Sequence, residues 1–180
     1  MATFRSRLPP RRDLLPVFAT VLFPVFSWSM IWFFQKMPGW QPFLDTWAIL
    51  SILAYALAFA LLESLIVLGL VVALAAILPA RTLRTRFVGL GSTLVLAITF
   101  WTVIFQLIFE PVIVYWSRAE FALWFGLALV SILLTVLLVH RSERAQQLIS
   151  SLADRLTVFV YLYVPLGLLG LAAVVTRNIL

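Results

Sequence analysis

The residue best placed to do chemistry is Glu63, a carboxylic acid near the middle of an apolar stretch that runs from residue 47 to residue 78. A charged carboxylate deep in a bilayer costs a few kcal/mol and often marks a proton or cation site. The alternative is a protonated carboxyl group that hydrogen-bonds to a neighbouring helix and holds a fold or an oligomer together. No Lys or Arg lies near the middle of any apolar stretch. We favour the structural interpretation, because one acid without a relay of further groups is weak support for transport.

Small polar residues occur at a similar predicted depth. Thr99, Thr102 and Gln106 fall roughly on one side of the third apolar stretch, and Ser131 lies near the middle of the fourth. These side chains could hydrogen-bond to Glu63 or line a narrow polar path. Ser and Thr are common where membrane helices pack, so packing is the favoured interpretation. The predicted intramembrane polar site consists of Glu63, Ser64, Thr99, Thr102, Gln106 and Ser131.

Small residues recur at helical spacing on both sides of Glu63. Such faces let two membrane helices approach closely. The predicted helix-packing face consists of Ala56, Ala60, Gly69 and Ala73.

Tryptophans concentrate at the predicted outer boundary of the membrane. An interfacial belt is the simplest explanation, but belts normally form at both faces. The asymmetry also fits an outer surface that docks a partner subunit, a lipid or a lipid-linked substrate. This outer aromatic surface consists of Trp32, Trp40, Trp47, Trp116 and Trp124.

Familiar catalytic patterns are missing from the sequence. It has no G-x-S-x-G, H-E-x-x-H, P-loop or Rossmann pattern, and Glu63 has no second carboxylate at its depth. The chain has no cysteine and a single histidine, His140. His140 could ligate haem or chlorophyll, but beside Arg141 at a basic boundary we expect a solvated helix end. We predict no enzymatic activity, no catalytic residues, no cofactor and no metal.

Five apolar stretches carry these residues. Hydrophobic residues make up 64% of the 180-residue chain and charged residues 11%, whereas soluble domains are roughly a quarter charged. The apolar residues form blocks of about 20 instead of alternating, which favours a helical bundle over a β-barrel. Pro165, Gly167 and Gly170 should loosen the middle of the last span. We predict one all-α transmembrane domain with spans at about 14–34, 47–78, 87–109, 121–139 and 156–176, and a short amphipathic cytoplasmic segment at 140–155.

The positive charges predict an orientation. If the N-terminus is inside, ten arginines fall in inner segments and three basic residues in outer ones. The positive-inside rule then places the N-terminus in the cytoplasm and the C-terminus outside. This topology accounts for the net charge of +6 without nucleic-acid binding. The inner residues are Arg5, Arg7, Arg11, Arg12, Arg81, Arg84, Arg86, Arg141, Arg144 and Arg155, and the outer ones are Lys36, Arg118 and Arg177.

Three classes of function fit these features. The favoured one is a non-catalytic accessory or structural subunit in a larger or homo-oligomeric membrane assembly, in contact with lipids and with a partner subunit or itself. The second is a small oligomeric channel, or a proton- or cation-coupled carrier, that uses Glu63. The third is a lipid-binding or lipid-modifying protein that uses the outer aromatic surface. The expected location is the plasma membrane of a prokaryote, because no organelle signal is found and the charge bias is strong.

Overall fold

The computed structural model describes residues 9–77, 86–109 and 117–179 and, for residues 108 and 109, the backbone alone. Trp116, Arg5, Arg7, Arg81 and Arg84, which carry sequence predictions, lie outside the described residues. Every regular element within these ranges is helical. The helices are α1 (Arg11–Trp40), α2 (Thr46–Ile77), α3 (Phe87–Ile104), α4 (Arg118–Arg141), α5 (Glu143–Leu156) and α6 (Val160–Ile179).

Two short segments extend this set of helices. A π-helical turn, Phe105–Phe109, continues α3, and a 3₁₀ turn, Thr157–Phe159, joins α5 to α6. Five helical units are long and apolar enough to cross a membrane: α1, α2, α3 with its π turn, α4, and α5 joined to α6. The predicted all-α fold with five membrane-spanning helices is therefore confirmed.

α1 is longer than the span predicted at about 14–34, because it continues to Trp40. Pro38 lies in its last turn. A proline removes one backbone hydrogen bond of a helix. An aromatic contact between Phe33 and Trp40 spans this part of α1. The rings of Phe33 and Trp40 lie 5.9 Å apart.

α1 occupies the centre of the bundle and packs against α2, α3, α5 and α6. Its first half is almost fully enclosed, with Val17, Leu22 and Phe26 inaccessible to solvent. One buried cluster joins α1 to α2 and α3, and a second joins α1 to α2, with α6 side chains packed against it. At one contact, the Thr20 hydroxyl donates to the Pro16 carbonyl at 2.9 Å and lies 3.2 Å from the Ser92 hydroxyl. α1, α2 and α3 thus meet in one shared apolar cluster.

α2 and α6 form the closest helix pair. A Cβ atom at Gly170 would lie 2.7 Å from the Ala54 carbonyl oxygen, and one at Gly167 would lie 2.8 Å from the Leu61 Cβ. Both distances are shorter than a real side chain tolerates, so only glycine fits at these two positions. The sequence predicts that these glycines loosen α6; in the structure they allow close packing.

α4 lies at the periphery, with only Ala128 and Val139 buried among its residues. At its first turns, the Trp124 ring packs 4.8 Å from the Trp101 ring of α3. At its last turn, Arg86 donates to the His140 carbonyl at 2.9 Å. α4 is therefore attached mainly to α3 and presents most of its apolar surface outward.

α5 is the amphipathic helix, and it packs across the starts of α1 and α3. The Ser142 hydroxyl caps its first turn by accepting from the Ala145 amide at 3.3 Å. Gln146 packs against Gly89 and donates to the Val139 and His140 carbonyls at 2.9 and 3.0 Å. α5 thus ties the end of α4 to the start of α3.

Candidate functional site

A groove opens on the side of the bundle, with α1 as its floor and α2 and α3 as its walls. α1 and α3 run in the same direction, because Thr20 meets Ser92 and, further along both helices, Trp28 and Gln106 line the same cavity. The cavity volume is about 220 Å³. We call this cavity the Glu63 groove, and its polar lining residues are Trp28, Ser29, Glu63, Thr99, Thr102 and Gln106.

Glu63 lies at the edge of the groove with an exposed side chain. It forms no hydrogen bond or ion pair with any residue in the described part of the chain. Glu63 follows Thr46, the first residue of α2, by 17 residues and precedes Ile77, the last, by 14. At a rise of 1.5 Å per residue, it lies about 25 Å and about 21 Å from the two ends. Glu63 is therefore near the middle of a helix longer than the hydrocarbon core, which is about 30 Å thick.

Two further polar atoms in the groove lack a partner. The indole Nε1 of Trp28 and the amide Oε1 of Gln106 are buried, and neither has a hydrogen-bond partner among the described residues. The Trp28 ring is held by edge-on contact with Trp32 at 6.4 Å. Gln106 lies on the π-helical turn that follows α3. An unsatisfied buried polar group costs about 1–3 kcal/mol, so such atoms require an explanation.

One end of the groove is closed by apolar side chains. Val21, Val71 and Val95 line the cavity and also belong to the buried cluster that joins α1, α2 and α3. Phe87, which is 1% exposed, belongs to the same cluster. Within the described residues, the polar lining therefore ends at this cluster instead of continuing along α1.

The structure brings together four of the six residues of the predicted polar site. Glu63, Thr99, Thr102 and Gln106 all line the Glu63 groove. Ser64 is fully buried outside the groove lining and donates to the Ala60 carbonyl at 2.7 Å.

Ser131 lies elsewhere, in a separate cavity between α3 and α4. It donates to the Ala128 carbonyl of its own helix at 2.9 Å. Both serines therefore satisfy their hydroxyl groups locally, as Ser commonly does in helices.

The predicted helix-packing face is divided between two environments. Ala60 is buried and Ala56 is half-buried against the rest of the bundle. Gly69 and Ala73 are exposed, and a Cβ atom at Gly69 would have no atom within 4 Å. Their role in packing against another chain stays a prediction.

The outer aromatic residues make separate contacts and do not form one continuous cluster within the described residues. The Lys36 ammonium lies 4.9 Å from the centre of the Trp32 ring. Trp40 packs on Phe33, and Trp124 packs on Trp101. Trp47 is 77% exposed. Trp116 lies outside the described residues.

His140 is half-buried at the end of α4, and its Nδ1 atom is buried without a hydrogen-bond partner in the described ranges. The sequence predicts a solvated helix end at His140; in the structure this residue is only partly exposed. Among the described residues, no group of three or more His, Cys, Asp or Glu side chains is arranged to hold a metal ion.

Sequence reasoning missed Trp28 and Ser29 as members of the groove. Trp28 enters the groove because α1 and α3 run in the same direction, which places it opposite Thr99, Thr102 and Gln106. No sequence pattern indicates this arrangement. The completed groove offers acceptors in the Glu63 carboxylate and the Gln106 amide oxygen, and donors in the Trp28 N–H and the Gln106 amide nitrogen. Such a set can hold a group that forms hydrogen bonds. Compared with protein-family models, curated proteins and solved structures, the chain has no match.

Proposed function

We propose that the protein is a non-catalytic subunit of a larger membrane assembly and that the face carrying the Glu63 groove packs against another membrane protein. The observation that carries this proposal is the exposed Glu63 side chain beside the unpartnered atoms of Trp28 and Gln106. Glu63 is exposed on the side of the bundle, where a membrane-spanning chain meets lipid or protein, and the Trp28 and Gln106 atoms are buried in the groove behind it.

Lipid acyl chains cannot satisfy the polar groups of this surface. Acyl chains provide neither donors nor acceptors, so a polar group in hydrocarbon stays unsatisfied. A helix of another protein supplies side-chain hydrogen bonds at the same depth. Covering the groove with protein therefore removes a cost that the isolated chain carries.

The rest of α2 supports the same proposal. Gly69 and Ala73 are exposed further along this helix, about 120° and about 80° around its axis from Glu63. Small residues let a neighbouring backbone approach closely. A partner helix that crosses Glu63 would find these residues on the adjoining surface.

α4 provides an internal comparison. Its exposed side chains include Leu133 and Leu134, and the exposed Thr135 hydroxyl donates to the Ser131 carbonyl of its own helix at 2.8 Å. A surface of this kind is compatible with lipid because its polar atoms are satisfied internally. The Glu63 groove differs from it in this respect.

The experiment is gentle extraction from the native membrane, followed by measurement of the intact particle mass and identification of its components. We expect a second membrane protein at fixed stoichiometry. Glu63→Leu should reduce the recovered partner about three- to thirty-fold, which corresponds to about 0.6–2 kcal/mol of helix–helix hydrogen bonding. Thr135→Val is the matched control on the α4 surface and should retain the partner.

A chain that leaves the membrane alone, or a partner whose recovery is the same in both variants, would contradict the proposal. A homo-oligomer would instead favour the carrier or channel, for which the observation is that Glu63, Thr99 and Gln106 share one cavity. In that case, Glu63→Gln should abolish proton or cation flux in reconstituted vesicles without changing the oligomer.

A further inference from the structure

The chemistry of the Glu63 groove points to one kind of contact with the partner. Resting on the function proposed above, we infer that the groove receives a single basic side chain, lysine or arginine, from a transmembrane helix of a different protein. The ammonium or guanidinium group would donate to the Glu63 carboxylate and to the Gln106 amide oxygen.

The charge of the groove supports a cationic group, because Glu63 is the only ionisable residue among the described residues that line it. Glu63 and Gln106 each contribute a free acceptor, and the Gln106 oxygen is already buried. Lys has three donors and no acceptor, and Arg has five donors and no acceptor. The carboxylate can accept about four hydrogen bonds, so the Trp28 N–H can share it with the cation.

The size of the groove fits a side chain. Its volume of about 220 Å³ is below the range of about 300–1,000 Å³ that is usual for sites of drug-sized ligands. The cavity also opens sideways on the bundle, where a neighbouring helix can reach it.

The depth of Glu63 favours a protein over a lipid as the source of the cation. α2 is about 48 Å long and exceeds a hydrocarbon core of about 30 Å by about 18 Å. Glu63 lies about 21 Å or more from either helix end, so it lies inside the core, whereas lipid amines stay in the headgroup region outside it. A basic residue within a transmembrane helix is costly unless it finds a partner. The groove provides that partner, so each chain satisfies the buried charge of the other.

In a second copy of this chain, no basic residue lies at the depth of Glu63. All 13 Lys and Arg residues lie in the links or near the ends of the spans. Lys36, on α1, lies eight residues beyond Trp28, which is about 12 Å along the helix axis. The partner is therefore a different protein that carries a lysine or arginine within a span.

A peptide probe tests this inference. The protein is reconstituted in phosphatidylcholine vesicles and labelled through Gln41→Cys, which is exposed and would be the only cysteine. Binding is measured by energy transfer to labelled single-span polyleucine helices that carry one central lysine or, as the comparison, one central methionine. We expect the lysine helix to bind about ten-fold more tightly than the methionine helix, because charge-assisted hydrogen bonds are stronger than neutral ones.

Three variants assign the effect to the groove. Glu63→Gln keeps the size of the side chain and one acceptor oxygen but removes its charge, and should lower lysine-helix binding to the methionine level. Glu143→Gln removes a carboxylate on α5, outside the groove, and should leave the preference unchanged. Glu63→Lys should reverse the preference toward a helix with one central glutamate.

The outcomes separate this inference from the proposed function. Equal binding of the lysine and methionine helices, or full binding by Glu63→Gln, would overturn the basic-residue contact. A native partner retained equally by wild type and Glu63→Gln would overturn it as well and leave the subunit function standing. Bound phosphatidylcholine that excludes both peptides would identify lipid as the occupant and also overturn the inference. Absence of any stoichiometric native partner would overturn the proposed function itself.

Discussion

Gly170 of α6 lies directly against the backbone of α2, so that a Cβ atom on it would approach the Ala54 carbonyl oxygen to 2.7 Å. The same added atom would lie 2.8 Å from the Leu57 Cβ and 3.2 Å from the Ala58 nitrogen. Because two of the three neighbours are backbone atoms, rotation of a side chain cannot relieve the contact. The α2–α6 pair therefore depends on the absence of a side chain at this position.

Gly170→Ala should destabilise the protein by separating α2 from α6. We expect a loss of about 1–3 kcal/mol in the free energy of unfolding, which is typical of overpacking. Unfolding in detergent, followed by tryptophan fluorescence, measures this change. Gly69→Ala is the control, because nothing lies within 4 Å of its added atom; equal losses in the two variants would show that the α2–α6 contact is not the cause.

Thr20→Val should destabilise the half of the bundle that contains the start of α1. Thr20 and Ser92 are both fully buried, and the substitution removes the acceptor or donor that Ser92 uses. Leaving the Ser92 hydroxyl unsatisfied should cost about 1–3 kcal/mol of unfolding free energy. Thr176→Val serves as the comparison, since its hydroxyl is exposed and bonds only to the Ala172 carbonyl of its own helix. A Thr20→Val protein as stable as Thr176→Val would refute this role.

Gln146→Leu should loosen the last turn of α4. The Gln146 amide donates to the Val139 and His140 carbonyls, which are among the carbonyls that a helix end leaves free. Losing these bonds should speed amide hydrogen exchange at residues 139–142 by about two- to ten-fold. Gln147→Leu alters the exposed neighbouring residue and should leave the exchange rates unchanged; acceleration in both variants would point to a general effect on α5.

The orientation predicted from the charges can be tested directly because the chain has no cysteine. Gln41→Cys lies between α1 and α2, and Ser151→Cys lies on α5, and both positions are exposed. With the N-terminus in the cytoplasm, a membrane-impermeant maleimide should label Gln41→Cys in intact cells and Ser151→Cys only after the membrane is opened. The reverse pattern would invert the topology.

The number and type of helices could be predicted from the sequence because hydropathy determines which segments can span a membrane. The arrangement of these helices could not. All five spans are similarly apolar, so the pattern gives no sign that α1 is central or that α4 is peripheral. Helix contacts in membranes depend on local shape and small residues, which a hydropathy pattern does not rank.

The candidate site could be predicted only in part, because a sequence gives the position of a residue along its helix but not the neighbours it meets on other helices. The depth of Glu63 and the stripe of Thr99, Thr102 and Gln106 follow from position along the chain. Trp28 enters the groove through the parallel run of α1 and α3, which no local pattern encodes. Gly167 and Gly170 show the same limit, since their presence in α6 is evident in the sequence, whereas their use as contact surface depends on α2.

The central position of α1 has a consequence for the biogenesis of the protein. α1 is synthesised before the other described helices, yet its buried face contacts α2, α3, α5 and α6. Phe26, inaccessible in the finished bundle, stacks on Tyr163 of α6 at 4.9 Å. This face therefore stays incomplete in the translocation channel or in the lipid until α6 has been inserted. The bundle therefore closes only when α6 docks on α1.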